Sequence, residues 1–170
     1  IEGQVYQPYS TSNLIWGNIP GSVGEVSKIG VILGALILVF TKIGSWRIMV
    51  SMVLGAMFMS LLLNIINASF SSELTNAFLS VPWYYQLAMG SFFFAMAFMA
   101  TDPVTASGTS TGKWVYGFMI GVIGIIIRVL NPAYPEGWML AILLLNVFAP
   151  LIDHVVLQQN IKRRLNRVKV

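Results

Sequence analysis

Residues 86–113 read QLAMGSFFFAMAFMATDPVTASGTSTGK. The stretch starts as an apolar helix, about Gln86 to Ala100, and halts at Thr101-Asp102-Pro103. Pro103 disfavours helical geometry at Asp102, and residues 104–113 are small and polar. A helix needs roughly 20 residues to cross about 30 Å of hydrocarbon. A run that stops short and gives way to small polar residues has the pattern of a broken or re-entrant segment lining a cavity. Gln86–Ala100 is therefore expected to end inside a bilayer rather than to cross it.

The surrounding sequence supplies the bilayer. Of 170 residues, 56% are hydrophobic and 9% charged, against about 25% charged in soluble domains. Too little polar sequence remains to face water, so the apolar surface calls for lipid. Four further apolar runs flank the short one: about Val26–Phe40, Ile48–Ile66, Trp114–Leu130 and Trp138–Leu157. The second contains Gly55, Ala56 and Ser60, small residues that permit close helix packing in lipid. Pro82-Trp83-Tyr84-Tyr85 reads as an interfacial aromatic belt. The fold class read from this pattern is all-α integral membrane with five spans, the third broken. Residues 1–23 form an extracytoplasmic segment, 24–158 a five-helix membrane domain and 159–170 a cytoplasmic basic tail.

Charge placement tests the count. Lys162, Arg163, Arg164, Arg167 and Lys169 crowd the C-terminus, which the positive-inside rule puts in the cytoplasm. Five spans then place Lys42, Arg47 and Lys113 inside. Glu2, Glu73 and Glu136 fall outside, in segments without Lys or Arg. Every connection agrees, with the N-terminal end outside. The net charge of +4 belongs to this asymmetry, not to nucleic-acid binding. No cysteine is present, so thiolate chemistry and Cys-ligated metal or iron–sulfur centres are excluded for this chain.

Two acids stand out. A carboxylate at the centre of a span costs roughly 2.5–3.5 kcal/mol on insertion scales, and such residues mark ion or proton paths. Asp102 sits at the break and Asp153 in the fifth run. The alternative is that Asp102 caps a cytoplasmic loop while Asp153 lies at the inner interface, neutralised by the tail. Glu25 and Lys28 are three apart, the spacing of an ion pair on one helix face. Glu25 is either an acid favoured by a helix N-terminus or a cation ligand. Arg128, near the outer end of the fourth run, reads as a snorkelling anchor. His154 has no partner set for a metal or for nucleophilic catalysis and reads as structural. Ser107-Gly108-Thr109-Ser110-Thr111 lacks the Lys of a phosphate loop. No catalytic or cofactor-binding residue is assigned.

Several ordered motifs go further. GNIPGSVGEVS (17–27), SWRIM (45–49), FMATDPVTAS (98–107), GKWVYG (112–117), IRVLNPAYPEG (127–137), AILLLNVFAPLIDHVV (141–156) and NIKRR (160–164) resemble the B subunits of Na+-translocating NADH:quinone reductases. The related D subunits of Rnf ion-translocating complexes share the GxIPGSxGE turn. The resemblance implies two inverted five-helix repeats, similar in fold to urea and ammonium transporters, with this chain as the C-terminal repeat. It implies a membrane component of a redox-driven pump in a bacterial inner membrane, coupling NADH oxidation and quinone reduction to Na+ export. Its partners would be the other subunits, the N-terminal half and quinone, and no activity is expected of this chain by itself. The acids matching Asp102, Asp153 and Glu25 would act in Na+ uptake. Covalent FMN and riboflavin are expected in the full-length protein. The flavin-bearing (S/T)GAT motif is absent from residues 1–16, so the attachment site is expected upstream of Ile1; SGTST at 107–111 resembles it only superficially. The rival readings are a channel or secondary-transporter repeat without redox coupling, and an Rnf-type ion-translocating component.

Overall fold

The computed structural model describes residues 11–18, 21, 24–69, 81–88, 90–131 and 137–168. Most of the expected N-terminal segment, most of the polar stretch 67–80 and the turn at 132–136 lie outside the described residues. The described elements are helical throughout: α1 (Thr11–Trp16), α2 (Lys28–Phe40), α3 (Trp46–Ser69), α4 (Trp83–Ala88), α5 (Phe92–Phe94), α6 (Ser110–Leu130) and α7 (Gly137–Val168). α5 continues as a π-helical turn over Ala95–Met99.

Three segments are long and apolar enough to cross a membrane: Trp46–Asn67, Ser110–Leu130 and Gly137–Arg167. α2 is apolar but has 13 residues, about 20 Å of helix, and the Gln86–Ala100 run is in pieces. The helices turn apolar side chains outward as well as inward. Phe40, Leu130 and Val147 are 82%, 74% and 75% exposed, as lipid-facing surfaces require. α7 has 32 residues and continues unbroken through the basic stretch that sequence alone set apart as a tail.

Backbone contact between α3 and α6 organises the core. Both helices run the same way: Trp46 packs edge-on against Trp114 at 5.9 Å, and Phe58 meets Phe118 at 5.8 Å. A Cβ on Gly121 would lie 2.3 Å from the Met52 carbonyl oxygen, and one on Gly55 2.2 Å from that of Phe118. Glycine is required where two backbones come this close. α7 runs antiparallel to α6. Trp138, 1% exposed, fills the space over Gly124, and Tyr116 donates to Asn146 Oδ1 further along.

The short run is held at both ends of α6. Near the α6 C-terminus, Arg128 donates to the Gln86 carbonyl oxygen at 2.9 Å. Gly90, with φ +72, turns the chain between α4 and α5 in a conformation that side chains beyond Gly rarely adopt. Phe92 packs edge-on against Trp138 at 4.8 Å. Helical structure lasts only to Met99. Residues 102–109 then carry the chain in turns to the opposite end of α6, where they meet Asp153. The run thus covers the length of α6 as a short helix plus loop.

Candidate functional site

Thr109 begins α6 by capping it: its Oγ1 accepts from Gly112 N at 3.1 Å. A Cβ on Gly112 would lie 2.2 Å from Ser107 Oγ, so the turn closes only on glycine. Asp153 of α7 reaches across into this turn. Its Oδ1 accepts from Ser107 Oγ at 2.6 Å, Thr109 Oγ1 at 2.6 Å and Thr109 N at 3.1 Å, while Oδ2 accepts from Gly108 N at 2.7 Å. A carboxylate with four donors at a helix N-terminus combines charge-assisted hydrogen bonds with a favourable helix dipole. Asp153 is therefore first a clasp between α7 and the 107–109 turn. Its donors stand 44 to 46 residues away, out of reach of any local sequence pattern.

Asp102 is built differently. Its Oδ2 accepts from Thr105 Oγ1 at 2.8 Å and Thr105 N at 3.2 Å, closing a turn on its own segment. Val104 N also approaches Oδ1 at 3.5 Å, so the carboxyl turns back onto its own segment. Asp102 does cap a loop, as one of the two sequence readings had it, but it remains partly exposed. An open cleft beside it is lined by Val104, Thr105, Ala106, Pro150, Asp153 and His154. Pro150, inside α7, has no N–H, so the Asn146 carbonyl loses its helical donor. His154 Nε2 lies 2.9 Å from Gln158 Nε2, one turn along α7.

Glu25 lies at the other end of α6. It is not on a helix face, because the helix starts later: Ser27 is the N-cap and its Oγ accepts from Gly30 N at 3.3 Å. Glu25 still attracts Lys28 electrostatically. Lys28 is 4% exposed and donates to the carbonyl oxygens of Glu25 at 2.8 Å and Gly90 at 3.1 Å. Arg128 turns inward to Gln86 rather than snorkelling outward. Cations near helix C-terminal carbonyls satisfy groups that a break leaves without helical donors. The sequence carried the signal in two parts, a broken run and two basic residues in apolar surroundings, but not their convergence.

The three acids do not gather. Among the described residues no group of three or more His, Cys, Asp or Glu side chains forms a metal site. The 107–111 loop does not fit the covalent flavin that the resemblance implies. Ser110, at the place of the attachment Thr, accepts from Arg47 Nη1 at 2.8 Å, and Thr109 Oγ1 is committed to Asp153 and Gly112.

Comparison with known proteins agrees with the motif reading. Residues 2–162 match the family described as NQR2, RnfD, RnfE. The chain is 56% identical over 151 residues to a protein of Ectopseudomonas mendocina named as the B subunit of Na(+)-translocating NADH-quinone reductase, covering 89% of this chain and 36% of that protein. A protein of the same name from Pseudoalteromonas atlantica is 53% identical over 153 residues, covering 90% of this chain and 37% of its own length. Another from Klebsiella pneumoniae is 51% identical over 160 residues, with 94% and 38% covered. The chain spans a little over a third of the length of these relatives.

Proposed function

This chain belongs to the NQR2, RnfD, RnfE family, and from that premise we propose that it forms one five-span half of the B subunit of a Na+-translocating NADH:quinone reductase and lines part of its cation pathway. The observation that carries the reading is identity of 51–56% to proteins of that name over 89–94% of the chain. The alternating directions of α2, α3, the broken run, α6 and α7 support five crossings, two of them incomplete as regular helices. They also support a transporter-like inverted repeat, since an odd number of crossings lets a second copy sit upside down.

In this reading the whole complex carries electrons from NADH to quinone, and the full-length subunit carries covalent FMN and riboflavin. The residues here handle the cation. Asp102 is the receiving acid: partly exposed and next to an open cleft. Asp153 adds negative charge while clasping the turn that shapes the cleft. Glu25 acts at the opposite end, beside the cations at the break.

Replacing Asp102 with Ala in the full complex tests this. The Na+ concentration for half-maximal stimulation of quinone reduction is expected to rise about tenfold, the effect of losing about 1.4 kcal/mol of cation binding, while the complex still assembles. An assembled Asp102→Ala complex with unaltered Na+ dependence would remove Asp102 from the pathway.

A further inference from the structure

Lys28 has no part in the roles given to the acids, yet it is the most buried charged side chain among the described residues, at 4% exposed. Its ammonium bridges two backbone oxygens, Glu25 O at 2.8 Å and Gly90 O at 3.1 Å. One comes from the turn that leads into α2, the other from the break where Gly90 takes φ +72. Carbonyls at unwound or broken helix ends are the ligands with which membrane transporters hold Na+, because clustered carbonyl oxygens replace an ion's hydration shell. Here an ammonium on a flexible four-carbon stem stands where an ion of the same charge would be held.

The neighbourhood is unusual for a simple cap. Arg128 occupies the Gln86 carbonyl of the same turn, and its Nη2 comes within 3.4 Å of where a Cβ on Gly90 would be. Two cations therefore converge on one break and repel each other, with Glu25 supplying opposite charge. Arg128 satisfies one carbonyl of the last turn of α4, that of Gln86. The second cation bridges two segments instead, joining the turn before α2 to the break. The arrangement tolerates one mobile positive charge at the carbonyl pair and not two.

We propose that the Lys28 ammonium is a tethered cation that competes with Na+ for the carbonyl oxygens of Glu25 and Gly90, closing this end of the pathway until it is displaced. The proposal rests on the cation-pathway reading above. An ammonium that fills the pair about nine-tenths of the time lowers its availability to Na+ about tenfold. Lys28→Met keeps the apolar stem and removes the charge. In the full complex reconstituted into liposomes, without NADH, passive Na+ efflux is expected to rise about tenfold in this variant. Lys28→Arg, which keeps the charge, is expected to stay near the parent rate. Choline, a much larger cation than Na+, is expected to leak no faster in either variant. Should Lys28→Met fail to assemble, Lys28→Gln is read instead, since its amide donates to carbonyls without charge. Unchanged Na+ efflux in the assembled neutral variant, or a leak equally fast for choline, overturns the tethered cation. The Asp102→Ala experiment separates the two readings: altered Na+ dependence there with unchanged efflux here removes only the role of Lys28, while unaltered Na+ dependence there removes Asp102 and leaves the efflux result to decide Lys28.

Discussion

Replacing Asp153 with Ala is expected to loosen the 107–109 turn and to lower the protection of the Gly108 and Thr109 amides against hydrogen exchange by about 30-fold, the effect of about 2 kcal/mol. The carboxylate is the shared acceptor of two hydroxyls and two backbone amides. Its loss removes four charge-assisted bonds together, and water replaces them only in part because Ser107 is 1% exposed. α6 keeps its own cap, since Thr109 Oγ1 still accepts from Gly112 N, so the helix persists while its tie to α7 is lost. Asp153→Asn is expected to fall between: the amide keeps one accepting oxygen but points an NH2 group at donors. Both variants should alter loop protection and Na+ dependence together, whereas Asp102→Ala changes Na+ dependence with protection at 108–109 intact. Asp153→Ala with parent-like exchange at Gly108 and Thr109 would refute the clasp.

That contrast shows where sequence reading stops. The apolar runs Ile48–Ile66, Trp114–Leu130 and Trp138–Leu157 foreshadow α3, α6 and α7, because apolar length is a local property. α7 outlasts its apolar stretch for a physical reason: Gln, Lys and Arg have helix propensities close to that of Leu, so the helix continues through the basic residues to Val168, the last described residue. The shortness of the Gln86–Ala100 run was visible in composition. What holds it was not, because Lys28 and Arg128 reach it from 62 and 42 residues away. Asp153 was recognisable as an exceptional residue, but its four donors lie on another segment. Gly55, by contrast, was legible as a place for close helix packing, and only its partner, α6, was hidden.

Gly121→Val tests that contact from the α6 side and is expected to be the most disruptive single change in the helix core. The new Cβ would lie 2.3 Å from the Met52 carbonyl oxygen and 2.6 Å from the Ala56 amide nitrogen. These are backbone atoms of α3 and cannot rotate aside, so the two helices must separate. Gly117 meets the same helix one turn earlier, with Ser51 Oγ at 2.0 Å and Ile48 O at 2.6 Å from its would-be Cβ; separation at one glycine therefore opens the contact at the other. Overpacking of this kind costs about 3 kcal/mol or more, expected as a lower unfolding midpoint and a reduced yield of assembled complex after detergent extraction. The damage should reach function through geometry: α6 carries the Asp153 clasp at its first turn and Arg128 in its last, so tilting it strains both ends of the broken run. Gly30→Ala provides the control. Its Cβ would find only Ser27 Oγ at 3.6 Å and Ser27 Cβ at 3.8 Å, ordinary contacts on an exposed helix position, where Ala is favoured over Gly by about 1 kcal/mol. A Gly121→Val complex with the same midpoint as Gly30→Ala would mean that the α3–α6 contact does not need its glycines.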